Sequence, residues 1–227
     1  MAEFDAYAEN YAEALGRGLA ISGEDSSYYL RGRVAWLKGC LQRMGFKPGS
    51  CLDYGCGCGD SAPELVSALG VQTVTGVDVS SSQIEIARRK HARANCSFAT
   101  VNEPPPAGAF DLAYSNGVFH HIPPVERPAA LQYINKALKP GAYFALWENN
   151  PWNPGTRYVM KRIPFDKDAI TLSPLETRRL VTAAGLKVIS ITFLFLFPRA
   201  LRVFRPLEPR VARLPLGAQY QVLCRKT

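Results

Sequence analysis

Leu52-Asp53-Tyr54-Gly55-Cys56-Gly57-Cys58-Gly59-Asp60 follows a short apolar run and precedes a helical pattern, as where a parallel strand turns into a helix around a ligand. Glycine at alternate positions permits φ > 0 and lets a ligand approach without meeting a Cβ. The helix that begins near Asp60 offers unpaired N–H groups at the same place. A dinucleotide fingerprint requires G-x-G-x-x-G, and here the sixth position is Asp60, so the pyrophosphate cradle is incomplete. Asp53, just ahead of the first glycine, suits a cationic ligand, because a carboxylate beside a pyrophosphate would repel it.

Val74-Thr75-Gly76-Val77-Asp78-Val79-Ser80 reads as the next strand, with Asp78 at its carboxyl end. In doubly wound sheets a carboxylate about 20 residues beyond the glycines accepts hydrogen bonds from both hydroxyls of a ribose. Together these residues resemble the class I S-adenosylmethionine-dependent methyltransferases, whose strand 1 carries D/E-x-G-x-G-x-G and whose strand 2 ends in the ribose-binding acid. The resemblance covers roughly residues 50–195. It implies S-adenosylmethionine as cofactor, with Asp53, the backbone of Gly55, Cys56 and Gly57, Asp78 and Val79 around it. Two other readings stay open: a nicotinamide-dependent Rossmann oxidoreductase, which would also use Asp78, and a non-catalytic binding subunit that keeps the fold.

Around the glycine turn, strands and helices alternate: strand 50–54, helix 60–69, strand 72–78, helix 81–94, strand 96–101, strand 110–115, helix 125–138 and strand 141–148. This is the rhythm of an open parallel sheet. Ala2 to Leu15 and Tyr28 to Met44 read as helices ahead of it; Pro174 to Gly185 reads as a helix, and Leu186 to Phe197 and Gln219 to Arg225 as closing strands. The expected fold is α/β: a doubly wound, seven-stranded, mostly parallel Rossmann-like sheet with N-terminal accessory helices. One domain is expected over 1–227, with lid helices in 1–47, a cofactor-binding core in 48–150 and an acceptor side in 151–227.

Ligands in such sheets bind beyond the carboxyl ends of the strands. Strand 4 ends in Tyr114-Ser115-Asn116-Gly117-Val118-Phe119-His120-His121, which resembles the corresponding segment of small-molecule methyltransferases akin to the quinone-biosynthesis enzymes. That likeness implies Ser115 and Asn116 beside the methionine part of the cofactor. After strand 3 the family usually places an acid that receives the adenine amino group; the nearest residue here is Asn102, a departure. The resemblance also implies that Tyr11 and Arg33, on the accessory helices, reach over the cofactor carboxylate; the alternative for Arg33 is a solvated helix charge.

Methyl transfer from a sulfonium is an in-line displacement, so holding the acceptor is the main task. An alcohol or phenol must also lose its proton. His120, His121 and Glu148 are the candidate groups, with His120 the first choice, His121 weighed as a turn-stabilising residue and Glu148 as a cap of nearby backbone. O-methylation of a small or lipid-linked acceptor is the expected reaction.

The net charge of +8 lies at one end: residues 1–150 carry 13 Lys+Arg against 15 Asp+Glu, and residues 151–227 carry 14 against 4. Between 193 and 214, Phe193 to Phe197 run into Arg199, Arg202, Arg205, Arg210 and Arg213 interleaved with apolar residues. One reading is a peripheral membrane contact at the inner face; the other is an insertion packed on the sheet. Nucleic acid is not expected as a partner, since no RNA-binding module is recognisable. The apolar stretches fall short of the roughly 20 residues that a spanning helix needs, and a cytoplasmic location is expected. Six scattered cysteines, Cys56 and Cys58 among them, read as small side chains rather than metal ligands, and no metal site is expected.

Overall fold

A computed structural model describes residues 11–103, 106–167 and 169–227, with side chains from residue 15 onward. The first part of the expected Ala2–Leu15 helix, the side chain of Tyr11, and Pro104 and Pro105 therefore lie outside the described residues. Seven strands form one sheet in the order β3-β2-β1-β4-β5-β7-β6. They are β1 (Ser50–Tyr54), β2 (Thr73–Asp78), β3 (Cys96–Thr100), β4 (Phe110–Asn116), β5 (Leu138–Asn149), β6 (Leu186–Leu194) and β7 (Gln219–Lys226). The first five are mutually parallel, and β7 enters antiparallel between β5 and β6. This is the doubly wound, seven-stranded, mostly parallel sheet that the sequence led us to expect.

The two-residue pleat sorts the side chains of each strand between two cores. From β4 and β5, Leu112, Tyr114, Tyr143, Ala145 and Trp147 enter one core with Val34, Leu37 and Leu41. Ala113, Phe144 and Leu146 enter the other with Phe119, Leu131 and Ile134. Both faces are covered, as a parallel sheet requires.

Eight helices are labelled here in chain order: α1 (Tyr11–Leu19), α2 (Ser26–Arg43), α3 (Ala62–Glu64, continued by a π turn Leu65–Leu69), α4 (Ser81–His91), α5 (Arg127–Ala137), α6 (Pro154–Met160), α7 (Pro174–Ala183) and α8 (Glu208–Val211). Side-chain caps set several starts: Asp25 accepts from Tyr28 N, Ser80 from Gln83 N, Asn153 from Thr156 N and Ser173 from Glu176 N. α4 ends three residues earlier than its apolar pattern suggests, because Ala92 is extended and Arg93 bridges to Cys96. β6 stops at Leu194 rather than Phe197, since Phe195 takes φ 63° and leaves the sheet line.

One buried guanidinium fixes the segment after β4. Arg127 donates through Nε to the carbonyls of Phe119 and Ile122, through Nη2 to that of Ile170, and through Nη1 to Glu176. Ile170 N in turn donates to the His120 carbonyl at 3.0 Å. The histidine pair is therefore clamped from below by charge-assisted bonds.

Candidate active site

Two cavities meet above the carboxyl ends of β1, β2, β4 and β5. The larger, about 610 Å³, is lined by the glycine turn, Asp53, Asp78, Val79, Tyr114 and Val118. The smaller, about 350 Å³, has apolar walls that include Tyr28, Tyr29, Met160, Ile163 and Phe195. Arg33, Asn116, Gly117 and His121 line both, so they mark the passage between the two.

In the glycine turn Gly55, Gly57 and Gly59 take φ of 74°, 53° and 80°, the left-handed region that glycine adopts at little cost. A Cβ on Gly55 would come within 2.2 Å of the Val118 side chain, so the turn packs closely against the segment that follows β4 while its backbone lines the cavity. Asp78 Oδ2 accepts from Gly57 N and Oδ1 from Ser80 N, both at 2.9 Å, which ties the end of β2 to the glycine turn. Asp53 is buried and accepts a short hydrogen bond from the Ser61 hydroxyl. Burial pushes its pKa up to about 7; Asp78 adds to the rise, and the Ser61 bond and Arg33 oppose it.

Arg33 is not a solvated helix charge. It is buried, donating from Nε to Tyr114 Oη at 3.1 Å and from Nη1 to Gln219 Oε1 at 3.0 Å. A guanidinium and a carboxylate thus line the same cavity, a pairing that suits a zwitterionic ligand portion. With the bare peptide of the glycine turn and Asp78 alongside, these residues fit a sulfonium nucleoside carrying an amino-acid tail.

The sequence expectations divide here. Asp53, Gly55, Cys56, Gly57, Asp78, Val79, Arg33 and Asn116 all line the larger cavity. Ser115 does not: the pleat turns it to the opposite face from Tyr114 and Asn116, where it is buried and its hydroxyl finds no partner among the described residues. Asn102 is exposed on the turn after β3, and its neighbour Val101 lines the cavity in its place.

At the passage the four ionisable groups of the histidine segment come together. Glu148, buried at the end of β5, accepts from Val118 N, Phe119 N and, at 2.5 Å, His120 Nδ1. It caps the turn and lines neither cavity. His120 Nε2 lies 3.4 Å from Asp166 Oδ1, and His121 Nε2 lies 3.2 Å from the same oxygen. Burial alone would lower the His120 pKa, but Glu148 and Asp166 outweigh it and lift the imidazole to about 10. This favours the protonated ring, and with Nδ1 on Glu148 and Nε2 near Asp166 His120 is engaged at both nitrogens, a poorer position for the proton acceptor that the sequence suggested than that of His121 at the passage. Burial opposes the ionised form of Asp166, yet the hydrogen bonds of the two histidines hold its carboxyl below the usual range.

Asp166, Tyr114 and Gln219 are site residues that the sequence reading passed over. Asp166 sits in a one-turn helix, Pro164–Asp166, just beyond α6. The Asn153-Pro154 pair, an N-cap followed by proline at the first helical position, signals α6 as clearly as Ser173-Pro174 signals α7.

Residues 51–141 match a family model described as a methyltransferase domain. The O-methyltransferase resE of Aspergillus sclerotiorum is 39% identical over 102 residues, 42% of this chain and 38% of that protein. The 2-phytyl-1,4-naphtoquinone methyltransferase of Nostoc sp. is 31% identical over 120 residues, 49% of this chain and 52% of that protein. The chain thus spans about two fifths to one half of the length of these curated relatives. A crystal structure of an S-adenosylmethionine-dependent methyltransferase from Mesorhizobium loti superposes with a TM-score of 0.61 at 20% identity, covering 87% of this chain and all of that one, a likeness of fold.

Proposed function

We propose, given that residues 51–141 belong to the class I S-adenosylmethionine-dependent methyltransferase domain family, that this chain O-methylates a hydroxyl-bearing acceptor with an apolar body. The observation that carries this reading is the second, apolar cavity, which opens onto the cofactor cavity at His121 and Asn116. S-adenosylmethionine supplies a methyl group made electrophilic by a sulfonium. Asp78 would accept from its ribose hydroxyls, Asp53 would face its ammonium and Arg33 its carboxylate, since all three line the larger cavity. On transfer the acceptor oxygen would form the new O–CH3 bond as the C–S pair returns to sulfur, and His121, at the passage between the cavities, would take the hydroxyl proton. The aromatic walls exclude water and hold the acceptor in line.

Asp53 makes cofactor affinity depend on pH. Its raised pKa in the free protein means that below about pH 7 binding an ammonium requires prior loss of a proton, while above it the carboxylate is already formed. S-adenosylhomocysteine affinity should fall about tenfold per unit between roughly pH 7 and pH 5. Asp53→Asn should bind weakly with a flat profile, measured by calorimetry; a sloping profile in that variant would reassign the titrating group.

The expected segment 193–214 divides in two. Phe193 and Leu194 are buried in β6, and Phe195 packs against Tyr28 and Tyr29. Beyond them, Leu201, Val203, Phe204 and Leu207 are exposed on a 3-10 turn, Arg199–Leu207, beside exposed Arg199, Arg202 and Arg210. Phe197, Pro198 and Arg205 of this stretch line the acceptor cavity. Apolar groups among arginines next to that opening support a peripheral contact with an anionic lipid surface and a lipid-linked acceptor. Among the described residues no helix is long and apolar enough to cross a membrane.

Extracts incubated with methyl-labelled cofactor and then split into aqueous and lipid fractions test both parts. Label in a base-stable ether of a lipid-soluble product is expected. Label confined to water-soluble products would remove the lipid reading, and no transfer to any hydroxyl would remove the reaction.

A further inference from the structure

We infer that His120 Nε2, His121 Nε2 and Asp166 Oδ1 form a binding site for one divalent transition-metal ion on the wall of the acceptor cavity. The three atoms lie within 4.8 Å of one another, with both histidine nitrogens 3.2–3.4 Å from the carboxylate oxygen. An ion with bonds of about 2.0–2.2 Å to nitrogen and oxygen sets neighbouring donors roughly 3–3.5 Å apart, so each nitrogen already stands at such a separation from the Asp166 oxygen. Two imidazoles and one carboxylate on one side, with the other side open, is the donor set of a facial triad. The open side faces the cavity, because all three residues line it.

A second observation comes from behind the ligands. Metal-bound histidines almost always give their other ring N–H to a carboxylate or carbonyl, which orients the ring and raises its basicity. Glu148 Oε2 holds His120 Nδ1 at 2.5 Å and is itself fixed by Val118 N and Phe119 N. Glu148 and Asp166 also put two carboxylates in a buried region, and an ion there would take over the positive charge of the His120 ring as it displaces the Nε2 proton. The nitrogen-rich set favours manganese, iron, cobalt or zinc over magnesium.

Metal binding stands independently of the methyl-transfer reading, and only its consequence rests on that reading. An acceptor hydroxyl at an open coordination position would be acidified, easing proton loss before methylation.

The test is calorimetric titration of EDTA-treated protein with Mn2+ and with Zn2+, alongside Co2+ absorption spectra. One ion per chain is expected, with His121→Ala and Asp166→Asn weakening binding by at least about 100-fold and Glu148→Gln by about 10–100-fold. The remaining histidine, His91, pairs with Asp60 on α4's outer side, so His91→Ala should bind as the parent does. Circular dichroism confirms that each variant is folded. No saturable binding, or binding unchanged in folded Asp166→Asn, overturns the inference. S-adenosylhomocysteine titrated into the same metal-free protein keeps the two readings apart: cofactor binding without metal binding rejects the metal site alone, and metal binding without cofactor binding rejects the methyltransferase reading alone.

Discussion

His121→Ala should lower turnover by about 10²- to 10⁴-fold while leaving S-adenosylhomocysteine affinity in place. His121 stands at the passage between the cavities, its Nε2 held by Asp166 at 3.2 Å, so its loss removes the proposed proton acceptor without touching the glycine turn. The adjacent residue should behave differently. His120→Ala leaves Glu148 buried without its cationic partner, and breaking a buried pair in this way costs about 3–5 kcal/mol. At this chain length that corresponds to a fall in Tm of roughly 10 °C. Steady-state kinetics, cofactor calorimetry and thermal unfolding of the two variants separate the roles. Unchanged kcat in His121→Ala would place the acceptor elsewhere.

Asp78→Ala should weaken S-adenosylhomocysteine binding by about 100-fold or more. Hydrogen bonds to a charged acceptor contribute about 1.5–3 kcal/mol each, and the proposed function has this carboxylate receive two ribose hydroxyls. The substitution also frees Gly57 N and Ser80 N, so the glycine turn loses its tie to β2. Asp78→Asn keeps one acceptor oxygen and should lose less. Calorimetry of parent and variants with S-adenosylhomocysteine and with NAD(H) reads both affinity and ligand class. Full affinity in Asp78→Ala would remove the ribose assignment, and heat from NAD(H) alone would favour the oxidoreductase reading.

The parallel core was legible because its signals are local. Apolar runs of strand length, the positive-φ glycines after β1, and the acid at the end of β2 each sit within a few residues of the structure they dictate. Helix starts marked by a capping side chain were equally plain at Ser80 and Ser173. Pleat parity was legible too, though unused: Tyr114 and Asn116 must share a face, which sends Ser115 to the other. The ends of α4 and β6 were less plain, because a bridge at Arg93 and the left-handed Phe195 override the apolar pattern.

What the chain itself determined is therefore the doubly wound sheet, the glycine turn and the two acids that frame it, since backbone conformation and hydrophobic periodicity are short-range properties. Which histidine reaches the passage between the two cavities was decided only by tertiary structure. Glu148 comes from the end of β5 and Asp166 from a turn beyond α6, and their closure around His120 spans 28 and 46 residues of sequence. Burial between two carboxylates raises the His120 pKa to about 10 and engages both of its nitrogens, while His121 stands at the cavity passage. The charge state of a histidine depends on the dielectric and on the ions around it, and both are set by whatever the fold brings near.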